Sequence, residues 1–364
     1  MPILTLAARI GVGMTLLALH AAHAATFCVD TSAQLRDALT EAGSNGANDV
    51  IRIKTGTYTF DFPFIAVAFS YETSQDFDIT LQGGWTGNDG VCSRRFLNPA
   101  STVLSGSGSS AVLRMTGADG SAGDMIVDQL TIRDGNSTEY GAGLRIGGRS
   151  AAGGFNGDLV IERVFFDNNN SGAWAAGLAV ETNGGIRVRN SVFHGNSCGV
   201  NACAGEFVSF ADDPEQVRNT FGNNTLVGNV CNDDAPSCST GGFLINGWFD
   251  YMPHTSVHNN LFALNDGNDL QLINDHVDVL FNNINRTHGT PQLNFGNMNV
   301  INPQFVSLLD DDYHLQLDSP MRNAGAMDIA YSSIDYAGAQ RVQQGRIDIG
   351  AFEFDGLIFE NGFD

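Results

Sequence analysis

The feature that most constrains this sequence is a motif that recurs between Val127 and Ile284. Each copy is a short run of β-branched and aromatic residues, followed three positions after its last apolar residue by Gly or Asn. The copies lie within the roughly 20–50-residue spacing that is typical of solenoid repeats. The apolar segments are Val127–Ile132, Ile161–Phe166, Val188–Phe193, Phe221–Leu226, Val257–Phe262 and, more weakly, Val279–Ile284.

Each unit is too short to bury its own apolar face, so the units must stack as coils of parallel strands. Stacking predicts one core ladder that starts at Val127 and a second that starts at Ile132. A β-sandwich also has short strands and Gly-rich turns, but it would not repeat this motif along the chain. Asn suits the corners because it tolerates a left-handed backbone and can hydrogen-bond from coil to coil. The full sets are Val127, Ile161, Val188, Phe221 and Val257; Ile132, Phe166, Phe193, Leu226 and Phe262; and the corners Gly135, Asn169, Asn196, Asn229 and Asn265.

The chain of 364 residues carries a formal net charge of −22, from 18 basic and 40 acidic side chains. Such a surface repels nucleic acid and anionic lipid, so neither is an expected partner. Divalent cations or basic partners would be attracted, although solubility alone is a sufficient explanation of the charge. We expect a monomer.

Residues 1–24 are typical of a secretory signal peptide. Ile10–Ala22 is mostly apolar but too short to span a bilayer, and Ala22–Ala24 supplies the small residues of a cleavage site. The mature protein is expected to begin at Ala25; a retained anchor helix is the alternative. No later run is long enough to cross a membrane, which predicts a secreted, extracellular or cell-surface protein.

Six cysteines follow the predicted cleavage site, and an even number in an exported chain indicates disulfides. Cys198 and Cys231 each lie two residues after a corner Asn, and a second Cys follows each of them. A duplicated local loop favours pairing within each loop, whereas a bond between 198 and 231 would instead connect two coils. The predicted pairs are Cys198–Cys203, Cys231–Cys238 and Cys28–Cys92.

A short helix is predicted before the first coil. Thr31 or Ser32 can cap it, and it would run to Gly43 with Leu35 and Leu39 on one apolar face. A solenoid needs such a cap, because an open first coil exposes apolar core and an unpaired strand edge.

The two ends of the chain resemble a known group. The segments are Leu35–Leu39, Asp49–Ile53, Gly56–Tyr58 and Gly83–Trp85 near the start, and Ser319-Pro320, Asn323–Gly325, Asp335, Gly338, Arg341 and Asp348–Glu353 near the end. They are similar to secreted bacterial proteins of the pectate-lyase-like superfamily with a choice-of-anchor Q domain. The resemblance implies an all-β, right-handed parallel β-helix over residues 25–355, with an acidic and aromatic tail at 356–364. Arg322-Asn323 departs from the family pattern, which more often has an apolar residue and Asp there.

The charged residues near the C-terminus are interpreted as structural. Arg341 can hold two carboxylates, from among Asp335, Asp348 and Glu353, and so tie down the final coil. The tail is either a sorting or docking tag or a packed end.

Relatives with this fold often bind polysaccharide along one side. A lyase would need positive charge near the substrate carboxylate, from Ca²⁺ or Arg, and a base. A hydrolase of the polygalacturonase type would need paired carboxylates, and that family's Gly-His-Gly segment is absent. Weak candidate Ca²⁺ ligands are the pairs Asp212-Asp213 and Asp233-Asp234 and the triplet Asp310–Asp312, although such runs are more often solvated loops.

The long insertion between Asn229 and Val257 is the predicted functional loop. Trp248 and Tyr251 would stack on a glycan together with His258, while Asp250 and His254 are candidates for acid–base work. The alternative is that these rings cover the flank of the stack. No other catalytic set stands out, so the sequence favours a binding or adhesion protein, with glycans as the expected partners. A polysaccharide lyase or glycoside hydrolase, and a structural surface stalk, are the alternatives.

Overall fold

The structure, a computed structural model, describes residues 24–60, 65–88, 90–148, 154–210, 218–232, 238–247, 254–273, 276–327, 332–343 and 345–354. The predicted signal peptide lies outside the described residues apart from Ala24, and so does the tail from 355 onwards. Within the described part, no helix has the length and apolar character needed to cross a membrane.

Short strands alternate with turns along the chain. The first are β1 (Ala25–Val29), β2 (Asp49–Lys54), β3 (Gly56–Thr59), β4 (Val67–Thr73), β5 (Ile79–Thr86), β6 (Arg94–Arg95), β7 (Thr102–Ser105), β8 (Ala111–Gly117), β9 (Met125–Arg133) and β10 (Asn136–Ser137). The next are β11 (Leu144–Gly147), β12 (Leu159–Asp167), β13 (Asn170–Ser171), β14 (Leu178–Thr182), β15 (Ile186–Arg189), β16 (Val192–His194), β17 (Ser197–Cys198), β18 (Gly205–Ser209), β19 (Arg218–Gly222) and β20 (Thr225–Val227). The last are β21 (Val230–Cys231), β22 (Phe243–Gly247), β23 (His254–His258), β24 (Leu261–Ala263), β25 (Leu270–Ile273), β26 (Val277–Leu280), β27 (Thr287–His288), β28 (Leu293–Phe295), β29 (Phe305–Ser307) and β30 (Asp312–Leu315).

These strands form long parallel sheets stacked coil upon coil, an arrangement compatible with the predicted parallel β-helix. The first sheet follows the order β1-β2-β5-β9-β12-β15-β19-β23-β26-β28, with β16, β20 and β24 continuing beside it. The second follows β4-β8-β11-β14-β18-β22-β25-β27, and the short sheet β10-β13-β17-β21 forms a corner between them. The pairs β5–β6 and β29–β30 are antiparallel.

The predicted register of the stack is confirmed. Ile161 pairs with Val127 and Val188, and the ladder continues through Phe221 to Val257. In the second ladder Phe193 lies between Phe166 and Leu226 and is completely buried. Like residues therefore pack on like residues in successive coils, because each short unit buries its apolar face only against its neighbours.

The corner asparagines form a hydrogen-bonded ladder, as predicted. The side-chain Nδ2 of Asn169 donates to Oδ1 of Asn196 at 2.9 Å, Asn196 donates to Asn229 at 2.9 Å, and Asn229 donates to Asn265 at 2.8 Å. The prediction that the corner residues themselves adopt a left-handed backbone was wrong, because the positive φ angle belongs to the residue that precedes each of them. Those residues are Asp134, Asn168, Gly195, Gly228 and Leu264.

A second asparagine ladder, not predicted from the sequence, runs through the turn between the two apolar ladders. Asn224 donates to Asn260 at 3.0 Å, Asn260 to Asn282 at 2.9 Å, and Asn282 to Asn297 at 2.9 Å. Asn224 and Asn260 are completely buried. Both ladders satisfy polar groups that would otherwise be unpaired inside the stack.

The predicted N-terminal helix is confirmed as α1 (Ser32–Ala42). Thr31 caps it by accepting a hydrogen bond from the backbone N–H of Gln34, and Gly43 ends it. Its buried Leu35 and Leu39 belong to the same apolar core as the first strands, so α1 covers the N-terminal end of the stack.

The three predicted disulfides are present, as Cys28–Cys92, Cys198–Cys203 and Cys231–Cys238. Cys198 and Cys231 are register neighbours in the short corner sheet, which explains why a bond between them was the competing prediction. Each is instead bonded within its own loop, so these two disulfides do not connect the coils.

The C-terminal segment folds back over the outside of the stack. It covers outward-facing Val192, Val227 and Leu261 with a second, smaller apolar cluster. The prediction that the C-terminal segment ties down the final coil is therefore corrected, since the residues that this segment covers lie in middle coils. The added members are Phe305, Tyr313, Leu315, Met321, Tyr336, Ile349, Ala351 and Phe352.

Arg341 anchors this fold-back. It is completely buried, and its guanidinium donates to Glu353 Oε1 at 2.8 Å, to the Gly350 and Ala351 carbonyls and to Oδ1 of Asn190. Burial raises the pKa of Glu353 to about 8, against the opposing effect of Arg341. Arg341 therefore contacts one carboxyl group and three neutral oxygens, whereas two carboxylates were expected. These buried contacts support the structural role of Arg341.

Candidate functional site

The aromatic part of the predicted functional loop lies outside the described residues. This holds for Trp248, Asp250 and Tyr251, and likewise for the candidate calcium ligands Asp212, Asp213, Asp233 and Asp234. The described anchors of the loop are His254 and His258, at the two ends of β23.

His254 forms a close pair with Asp278 on the neighbouring strand β26. His254 Nε2 lies 2.6 Å from Asp278 Oδ2, and the imidazole side chain is 36% exposed. The second carboxylate oxygen, Oδ1, is buried and has no hydrogen-bond partner among the described residues. The geometry of this pair suits acid–base work, because a carboxylate orients the ring and one part of the ring reaches solvent.

His258 does not occupy a comparable position. It is 1% exposed, and its Nδ1 lies 3.0 Å from Ser256 Oγ. Its ring fills the space beside Gly222, where an added Cβ would lie 2.5 Å from Nε2. The predicted glycan contact by His258 is therefore corrected, since its imidazole is enclosed by the stack.

Sequence reasoning missed Asp278, although a signal was present. Val277-Asp278-Val279 alternates as a strand with both valines in the core. Such alternation places the intervening carboxylate on the outer face, in register with Ser256 and one strand from His254.

The acidic triplet at Asp310–Asp312 does not converge on one point. Asp310 accepts from Ser307, Asp311 accepts from the Tyr313 hydroxyl, and Asp312 contacts His314. The three carboxylates are thus engaged with separate partners, and Asp311 also lies 3.5 Å from His194 of a middle coil.

A different lateral feature is an open cleft of about 310 Å³ at the corner between the short sheet and the second sheet. We call it the flank groove. Its polar lining combines hydroxyl and amide groups with one ion pair, in which Arg114 Nη2 lies 3.6 Å from Glu139 Oε2. Most of these side chains are exposed and therefore accessible to a ligand. The lining residues are Ala66, Ser109, Arg114, Asn136, Ser137, Thr138 and Glu139.

Two aromatic residues continue from this lining. Tyr140 directly follows Glu139, and the guanidinium of Arg145 lies over its ring at 4.0 Å from the centroid. The backbone N–H of Gly141 donates to the Ala175 carbonyl at 2.9 Å, which places Trp174 beside Tyr140 in the next coil. Trp174 is 47% exposed. A phenol ring fixed by a cation and an exposed indole therefore stand in successive coils.

The polar lining is held by the same coil-to-coil contacts. Ser171 Oγ donates to the Glu139 carbonyl at 2.6 Å, and Arg145 is the register neighbour of Arg114. The sequence contained a signal for the aromatic pair that was not used: Tyr140 follows the corner residue Gly135 at the same distance as Trp174 follows Asn169.

No protein-family profile and no curated protein matches this chain. The functional assignment therefore depends on the geometry of these surfaces.

Proposed function

We propose that this protein is an exported, right-handed parallel β-helix that binds extracellular or cell-surface polysaccharide through the flank groove. The observation that carries the proposal is the combination of an open polar cleft with an exposed aromatic residue, Trp174, in the adjoining coils. Aromatic faces stack on the apolar faces of sugar rings, while hydroxyl and amide groups exchange hydrogen bonds with sugar hydroxyls.

Charge is compatible with this assignment. Arg114 and Arg145 occupy neighbouring register positions on a chain whose net charge is −22. Each is near a glutamate, at 3.6 Å for Glu139 and 3.7 Å for Glu181, so the groove is close to locally neutral. Glu139 is 65% exposed, and such an exposed ion pair is weak enough for a ligand to displace.

Export and the family resemblance belong to the same proposal. The three disulfides favour an oxidising compartment. The first strand begins at Ala25, the expected first residue after signal cleavage. Membership of the choice-of-anchor Q group stays a prediction, carried by the terminal motifs.

The direct test is a screen of purified mature protein against neutral and acidic polysaccharides by affinity electrophoresis. Retention without new reducing or unsaturated ends is the expected result. Absence of retention by every polysaccharide would contradict the proposal and favour a structural stalk.

Cleavage of the bound glycan is a second candidate, favoured by the His254–Asp278 pair. If the screen yields products, His254→Ala should remove product formation without removing retention, and Asp250→Asn tests the other residue predicted from the loop. Unchanged product formation in both variants would exclude this loop from catalysis.

A further inference from the structure

The C-terminal coil presents an edge strand. β28 pairs with β26, and the first sheet ends there in the described part of the chain. All three of its residues are exposed, Leu293 to 55% and Phe295 to 67%. An edge of this kind offers backbone N–H and C=O groups for pairing with another strand.

This edge lacks the usual protection by charge. Between Arg286 and Asp310 there is no Asp, Glu, Lys or Arg, although the whole chain has a net charge of −22. Proteins commonly block edge strands with charged side chains or proline. β28, with the sequence Leu-Asn-Phe, has neither.

The opposite end of the stack is protected. α1 packs its buried Leu35 and Leu39 into the core beside β1 and β2. A covered end and an open end do not complement each other, which disfavours head-to-tail growth. A closed pair with the two open ends together is the remaining geometry.

We propose that two copies of this chain associate end to end by antiparallel pairing of their β28 strands. A two-fold axis perpendicular to the face of the first sheet makes the two edge strands antiparallel. If the axis passes midway between Asn294 and Asn294 of the partner subunit, Leu293 lies opposite Phe295 of the partner subunit on one face, and the two Asn294 amides meet on the other. The strand is thus complementary to itself.

The charge distribution explains why two copies would contact each other only through these ends. Strongly acidic chains repel each other over most of their surfaces, whereas two charge-free ends can approach closely. Screening of the remaining repulsion predicts that added salt strengthens the dimer. The dimer would replace the monomer expected from the sequence.

Sedimentation velocity of the mature protein over a range of concentrations tests the proposal. The wild-type protein should shift from monomer to dimer with increasing concentration, and more readily at higher salt. Phe295→Asp should raise the dimer dissociation constant by roughly a hundredfold or more, equivalent to about 2.7 kcal/mol. Val91→Asp is the matched control, since it adds the same charge at an apolar residue that is 56% exposed and lies outside the charge-free segment, and its dimer should match the wild type.

Hydrogen exchange supplies a second readout that does not depend on the variants. The amides of Leu293–Phe295 should become protected as the dimer forms. A protein that remains monomeric at all concentrations would overturn the proposal, as would equal effects of Phe295→Asp and Val91→Asp. If deletion of residues 355–364 is required before dimers appear, the tail covers β28 and the proposal also fails.

Discussion

At the scale of single residues, the interior is held by two kinds of ladder, one aromatic and aliphatic and the other made of asparagine. Phe193 belongs to the first kind. Its ring stacks on Phe166 at 4.8 Å and meets the edge of Phe243 at 5.7 Å, and its side chain is completely buried.

Phe193→Ala should lower the free energy of unfolding by about 3–5 kcal/mol, because it removes a buried ring and leaves a cavity between two coils. Urea unfolding measures the loss. Phe193→Asp should prevent folding, since it would bury an unpaired charge. A soluble Phe193→Asp protein that melts cooperatively would contradict the register of the stack.

Asn196 belongs to the second kind of ladder. It donates to the Phe166 carbonyl and to Asn229, and it accepts from the side chain and the backbone N–H of Asn169. Asn196→Ala should cost about 3 kcal/mol or more, because several buried polar groups lose their partners at once. The exposed neighbour Asn170 is the control: Asn170→Ala should change stability by no more than about 0.5 kcal/mol. Equal losses of stability in the two variants would show that the buried asparagine ladder does not stabilise the fold.

At the scale of elements, the repeats were predictable and the fold-back was not. The ladders of Val127 and Phe193 could be predicted from the repeat in the sequence, because every coil must bury its apolar face against the same positions of its neighbours. The C-terminal segment reaches Asn190 and Thr225 through contacts that are distant in sequence, such as the hydrogen bond from the Ala351 N–H to Thr225 Oγ1. No period in the sequence encodes such contacts.

The flank groove illustrates the same limit. Tyr140 and Trp174 belong to different coils, and neither lies in the long insertion that composition singles out. Their proximity arises only when the coils are stacked in register.

The β29–β30 hairpin is attached to the stack partly through His194. Its Nδ1 lies 3.0 Å from Asp167 Oδ1 and 3.5 Å from Asp311 Oδ1, just before β30. The hydrogen bond to Asp167 raises the pKa of His194 above its ordinary value of 6.5, with burial opposing and Asp311 adding to the rise.

Protonated His194 therefore stabilises the fold. Its contribution is complete below the unfolded pKa of about 6.5 and is lost as the pH rises through the higher folded pKa. We expect the wild-type protein to lose more stability than His194→Asn between about pH 6 and about pH 9, as measured by urea unfolding. Parallel losses in the two proteins would show that His194 does not attach the hairpin.

At the scale of the whole molecule, a stack of coils covered at one end carries the proposed ligand surface along its side. Coil-to-coil register fixes the spacing of the flank groove and its aromatic residues, so binding would require little rearrangement of the backbone. Variants of exposed groove residues should consequently affect affinity and leave folding unchanged.

The most direct test of the proposed binding site is the affinity of variants of the two aromatic residues beside the flank groove for the polysaccharide retained best in the screen. Trp174→Ala and Tyr140→Ala should each weaken binding by roughly tenfold, equivalent to about 1.4 kcal/mol, with thermal stability close to that of the wild type. Phe96→Ala removes an aromatic residue of similar exposure, 43%, away from the groove and should bind normally. Wild-type affinity in both Trp174→Ala and Tyr140→Ala, with binding lost instead in Trp248→Ala and Tyr251→Ala, would contradict the flank groove as the binding site.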